Sequence, residues 1–178
     1  MKLIKRSTFA VMIIMLLCLV GCGFDEKSRV SDTWYEKTIE NYKTGFSQNW
    51  SSGKDPFGNY VCDRYLDKSI TYGYTVMDLN KDGINELLIG IVDDSATKTV
   101  ITDIIANKKD IGVFNLYNVG DDGELYILTD GRIRHDDHMF KGSEETKYFE
   151  FTEECSFLHV DGGGDPMILT LTPFERGN

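Results

Sequence analysis

Asp78, Asn80 and Asp82 place an oxygen-bearing side chain at every second position of one short stretch, followed by Gly83 and then Glu86. Alternate spacing lets three oxygens converge while Leu79 and Lys81 point away. Gly83, sixth in the run, permits a sharp turn where a side chain would cost strain. The carbonyl of Ile84, seventh in the run, can then turn inward as a further donor. Asp78, Asn80, Asp82, Ile84 and Glu86 are therefore candidate ligands for a hard cation, and calcium suits such an all-oxygen set. An ion held by so few charged and amide groups is expected to be structural and weakly bound, with Kd about 10⁻⁴–10⁻³ M. A metal-free alternative uses the same residues, because Asp and Asn side chains bond nearby backbone amides and make turns unaided.

Other reactive residue types are fewer. His135-Asp136-Asp137-His138 offers two imidazoles and two carboxylates, a set that transition metals accept. In a strand, however, the two histidines fall on opposite faces, and the run reads more simply as a solvated hairpin end. A hydrolase needs a nucleophile, a base and an orienting group. The chain has three histidines and no Gly-x-Ser-x-Gly elbow. Cys155 and His159 lie in or beside an expected strand, where packing is the simpler role. The segment of residues 161–165 (DGGGD) has no following helix to cradle a phosphate and reads as a turn before Pro166.

The elements that must position these residues follow from periodicity. Tyr35, Ile39, Tyr42 and Phe46 recur at helical spacing and predict an amphipathic helix with one buried stripe, ending near Gln48 or Asn49. Thr33 with Glu36 matches a capping box at its start. Beyond the Gly-, Ser- and Pro-rich residues 51–59, the chain changes to short strands with turn signals between them. Strands are expected within residues 70–77, 86–92, 113–119, 124–129, 147–152, 156–160 and 167–172. Another starts at Arg132, paired through the Asp130-Gly131 hairpin signal. Residues 100–106 (VITDIIA) fit a strand or a short helix equally. The spacing predicts an α+β, β-rich fold, with an N-terminal amphipathic helix packed on an antiparallel β-meander.

Strands on both sides of the acidic loop exclude a helix–loop–helix pair. The loop also departs from the EF-hand rule at its eighth and twelfth positions, Asn85 and Ile89, and its carboxylate comes early, as Glu86. The pattern resembles the DxDxDGxxD/E loops of FG-GAP and VCBS-type modules, in which a calcium loop joins two strands. Residues 74–90 (YTVMDLNKDGINELLIG) look like a group of Gram-positive lipoproteins of unassigned function. There a signal and a helix precede one such unit and a meander, and residues 125–133 match more loosely. The resemblance implies architecture and calcium, not an activity. The loop occurs once, which argues against a propeller.

The N-terminus supplies an address. Lys2, Lys5 and Arg6 precede an apolar run over residues 9–20 that ends at Leu19-Val20-Gly21-Cys22. The run is short against the ~20 residues of a membrane span. This ending resembles the lipobox of bacterial lipoproteins. It implies that residues 1–21 are a signal peptide, that Cys22 carries the lipid, and that residues 22–30 form a tether. Residues 31–178 then make a single β-rich domain with its N-terminal helix. Two acyl chains suffice for stable anchoring.

Loss of residues 1–21 takes the net charge from −10 to −13, which argues against sustained nucleic-acid or anionic-lipid binding through a basic patch. Cys62 and Cys155 remain in a compartment that permits disulfides. Paired, they close a loop of about ninety residues, worth on the order of 4–5 kcal/mol; unpaired, they act as small buried hydrophobes. The sequence thus predicts a lipoprotein on the extracytoplasmic face of the bacterial cell membrane, a calcium-stabilised binding or interaction module without catalytic activity. Its partners would be the membrane through its anchor and a protein or glycan. The alternative is a metal-dependent hydrolase or other enzyme using His135 and His138.

Overall fold

The computed structural model describes residues 33–51, 53–121, 123–139 and 143–176. The expected signal peptide, Cys22 and the tether lie outside the described residues. Helix α1 spans Glu36–Ser47 and helix α2 spans Asp63–Leu66. Nine strands follow: β1 Tyr72–Met77, β2 Glu86–Ile91, β3 Ile101–Lys108, β4 Gly112–Asn118, β5 Gly123–Ile127, β6 Ile133–Met139, β7 Ser143–Phe151, β8 Phe157–Val160 and β9 Thr172–Pro173. The fold is β-rich, one antiparallel sheet in the order β8-β7-β6-β5-β3-β2-β1-β9. Residues 100–106 fall in β3, the central branch point. Ile101 at its start pairs Leu125 of β5, while its remaining length pairs β4.

Period-two alternation loads both faces of the sheet. Leu87 and Ile89 of β2 and Ile105 of β3 join Tyr35, Tyr42, Phe46, Trp50, Tyr65, Tyr72 and Phe174 in an aromatic cluster. Leu88, Ile101, Ile104, Leu125, Ile127 and Ile133 form a second, largely aliphatic cluster, into which Leu79 also packs. Rings meet edge-on and stacked, with Phe46 and Tyr72 centroids 5.0 Å apart. Such pairs add about 0.5–1.5 kcal/mol each beyond area burial.

Local expectations change in four places. The N-cap of α1 is Tyr35, without a side-chain cap bond, so Thr33 is not its cap residue. The short helix α2 has no sequence stripe of its own. Asp121 holds its start by accepting the amides of Asp63 and Arg64 at 3.2 and 2.9 Å. His135 to His138 lie within β6, not at a hairpin end. Residues 167–171, expected as strand, are irregular. Only Thr172 and Pro173 pair with β1, and Pro166 bridges Leu128. The amides of Met167 and Leu169 bond Ile127 O and Thr99 Oγ1 at 2.8 Å, so these backbone groups are satisfied without a ladder.

Candidate metal centre

The acidic loop is the β1–β2 hairpin connection. Met77 and Glu86 face each other in register and close it. Asp78 Oδ1 and Oδ2 accept the amides of Asp82 and Gly83 at 3.1 and 2.9 Å. Asp82 Oδ1 accepts the Ile84 amide at 2.7 Å. Asn80 Oδ1 accepts the Asp82 amide at 3.2 Å, and its Nδ2 donates to Asp82 Oδ2 at 3.2 Å. The chain curls through left-handed backbone at Lys81 (φ 61°) and Gly83 (φ 86°). Gly83 is where the sequence places freedom to turn, whereas Lys81 takes a φ that costs a non-glycine residue about 1 kcal/mol or more.

Glu86 is the unusual member. As the first residue of β2 it is only 1 % exposed, and its Oε2 accepts the Leu79 amide at 2.9 Å. Burial pushes its carboxyl up to about 8, and the nearby charges of Asp82 and Asp78 push the same way. Among the described residues no lysine or arginine is ion-paired with Asp78, Asp82 or Glu86. The loop thus concentrates three carboxyl groups without a basic partner.

Surrounding groups fix the loop on three sides. Leu79 is buried in the second cluster. Tyr35 Oη donates to the Asn85 carbonyl at 2.9 Å, tying the loop to the start of α1. Asn80 Nδ2 donates to the Thr152 carbonyl at 3.1 Å, tying it to the turn between β7 and β8. Tyr35 and Thr152 carry no signal of this role in the sequence, since both contacts are long-range.

As the side chains stand, no group of three or more His, Cys, Asp and Glu among the described residues is disposed to hold a metal ion. That holds for the loop, whose side-chain oxygens turn toward their own amides, and for the β6 run. There the His135 ring packs edge-on to Tyr117, whose hydroxyl is 3.0 Å from Nδ1. His138 lies 3.9 Å from Glu124 Oε2 on the other face. Asp136 is taken up by a bidentate bond from Arg134, at 2.7 Å twice, and by Thr146. Cys62 and Cys155 are both free thiols, one packed on each cluster, so the disulfide alternative is not formed here. Burial pushes the Cys62 thiol up to about 12, which suppresses the nucleophilic thiolate.

A second polar centre, absent from the sequence reading, sits inside the aromatic side of the sheet. Asp103 of β3 is fully buried and accepts Asn115 Nδ2 at 3.1 Å, Asn118 Nδ2 at 2.6 Å and the Tyr65 hydroxyl. Its signal is an acid beside a threonine inside a run whose other residues are apolar, VITDIIA. No helix among the described residues is long and apolar enough to cross a membrane. No family model, curated protein or solved structure matches the chain.

Proposed function

We propose that the chain is a lipid-anchored extracytoplasmic lipoprotein whose domain is a non-catalytic binding or interaction module, braced by calcium at the β1–β2 loop. The supporting observation is the crowding of half-buried Asp78 and Asp82 with buried Glu86, without a basic partner among the described residues, at a turn that also carries Asn80 and Ile84. A divalent cation would reverse the electrostatics that raise Glu86. The donor chemistry fits a hard ion, because each carboxylate oxygen has lone pairs beyond the one used for an amide. Asn80 and backbone carbonyls add neutral oxygens, which calcium accepts alongside carboxylates. The residues that would hold it are Asp78, Asn80, Asp82, Ile84 and Glu86. The buried stripe of Tyr42 and Phe46 on α1, stacked on β1, supports the α+β reading with an N-terminal helix packed on the meander. The anchor reading rests on the residues ending at Cys22.

Calorimetric titration of calcium into the protein tests the brace. Heat with Kd about 10⁻⁴–10⁻³ M is expected. A calcium-dependent rise in Tm that Asp82→Ala removes should accompany it. No heat at millimolar calcium, with equal melting of both proteins, would leave the loop as a metal-free Asx turn.

A further inference from the structure

A sheet that does not close leaves unpaired N–H and C=O groups along its outer strands, and proteins guard such edges with charge, proline, bulges or shortness. Among the described residues β9, β4 and β8 each pair on one side only. β9 is two residues long, and one of them is Pro173, which has no N–H to offer. β4 pairs β3 with a register shift between Ile104 and Ile105, an irregularity that bends an edge. β8 pairs β7 in unbroken register, from Phe157 against Phe151 to Val160 against Tyr148. Its run Ser156-Phe157-Leu158-His159-Val160 contains no Pro, Asp, Glu, Lys or Arg, in a chain of net −10. Shortness is the one guard this edge has.

The phase of the β7–β8 ladder fixes which groups are open. The Thr152 amide bonds Ser156 O at 2.9 Å across the turn, so these two residues form a hydrogen-bonded pair. Antiparallel pairs alternate, and Leu158 and Val160 therefore also turn their backbone groups toward β7. Phe157 and His159 turn theirs outward, two donors and two acceptors along the free edge. Their rings lie on the face of Phe149, each with its centroid 5.9 Å from that ring. Leu158 stands on the opposite face and is 57 % exposed.

We propose that β8 is a self-pairing edge, through which two copies of the chain join as a two-fold dimer centred on Leu158. A two-fold axis there runs the two strands antiparallel. It sets Phe157 against His159 of the second copy, and the reverse, and each of these pairs exchanges two N–H···O bonds. All the outward groups of Phe157 and His159 are then used. Leu158 meets Leu158 of the second copy as a non-hydrogen-bonded pair, the kind whose side chains approach most closely. Its exposed apolar surface is covered by its own equivalent, which is what selects a second copy as the occupant. No charge enters the ladder, so the like net charge of the two chains does not oppose it there. At either end Asp161 comes toward the β7–β8 turn of the second copy, which carries Glu153 and Glu154. The contact is also smaller than the roughly 1,200 Å² of a standard interface. The pair is therefore weak, and salt tightens it by screening those acids.

Cysteine cross-linking of the full-length chain reads the register. Leu158→Cys lies on the axis, where opposite Cβ atoms stand about 4.5–5.5 Å apart, and mild oxidation should give a product of twice the mass. Glu150→Cys pairs Leu158 across β7, but its two copies lie three strand spacings apart, about 14 Å, and should not cross-link. The parent chain, with its native cysteines, sets the background. Sedimentation equilibrium reads the association itself. The parent should pass from one chain to two between about 10 μM and 1 mM, as befits a contact of this size, and at lower concentration when salt is added. His159→Pro removes an outward N–H and no bond to β7, the place where an edge strand accepts proline. Leu158→Asp sets two carboxylates against each other. Each should raise the association midpoint at least about ten-fold while unfolding in urea near the parent's midpoint. If His159→Pro unfolds early, Leu158→Asp, at an exposed position, carries the test. A parent that stays a single chain at 1 mM overturns the proposal and leaves the edge to a different protein. A dimer that Leu158→Asp leaves intact puts the contact elsewhere and overturns it. Equal cross-linking of Leu158→Cys and Glu150→Cys marks random collision and overturns it as well.

Discussion

Asp103 carries the sharpest consequence of a single residue. It is fully buried, and burial pushes its carboxyl up to about 7 against the amide donors of Asn118 and Asn115, which pull it down. The unfolded chain titrates this group near 3.9. Between those values the folded protein binds the proton and the unfolded chain does not. Stability from this group is therefore full below about pH 4 and lost as pH rises through about 7, on the order of a few kcal/mol in all. Asp103→Asn keeps an oxygen for the amides of Asn115 and Asn118 and removes the titration. Urea unfolding at pH 5 and pH 8 should show a smaller difference for the variant than for the parent. An equal difference would place the pH dependence elsewhere. Asp103→Ala leaves two amides and the Tyr65 hydroxyl without their acceptor and should cost about 1–3 kcal/mol at either pH. The Tyr42 hydroxyl is buried in the same neighbourhood and helps to lower the Asp103 carboxyl.

At the scale of an element, α1 is held at its end more firmly than at its start. The amide of Trp50 bonds Gly45 O at 2.7 Å and that of Asn49 bonds Phe46 O at 3.3 Å, the Schellman pattern. Asn49 and Trp50 both take φ 51° to achieve it, and the Trp50 ring folds back over Gly45. A Cβ at Gly45 would meet that ring at 2.4 Å. Helix propensity alone favours Gly45→Ala by about 0.8–1 kcal/mol. The ring is packed between Tyr42, Phe46 and Tyr65 and has little room to yield. The expected outcome is a net loss of about 1–3 kcal/mol, read as a lower midpoint in urea. A gain would mean that the ring moves freely. Elements of this kind show where the sequence is legible. The stripe of Tyr35, Tyr42 and Phe46 stands out because helical periodicity and burial agree, and β1, β2, β4, β5, β7 and β8 stand out as β-branched and aromatic runs between turn signals. Residues 167–171 (MILTL) read as an apolar strand as well, yet their partners are backbone and hydroxyl groups from distant segments, which no local pattern encodes. The tie-points of the loop escape for the same reason: Asn80 can be read as a donor or a ligand, but Thr152 cannot be read as its partner.

At the scale of the molecule, the acidic loop joins regions that are far apart in strand order. It connects β1 to β2 near one end of the sheet, and through Asn80 it bonds Thr152 beside β8 at the other. Leu79 packs in the cluster that also holds Ile127 and Phe151. The loop is thus a clasp between the two halves of the sheet, and its chemistry bears on global stability. Asn80→Asp separates the two accounts of that chemistry. The substitution deletes the amide donor to Thr152 and Asp82 and adds a fourth acid beside Asp78, Asp82 and Glu86. In a chelator-treated sample it should destabilise by about 1–2 kcal/mol, a drop of roughly 2–4 °C in Tm per kcal/mol for a domain of this size. If the loop holds calcium, the added carboxylate is a better ligand than the amide it replaces. The deficit should then shrink steadily as calcium rises through the millimolar range, and the variant should gain more Tm than the parent over the same titration. A deficit that stays constant at every calcium concentration, with magnesium as a control for ionic strength, would mean that the clasp works through hydrogen bonds alone.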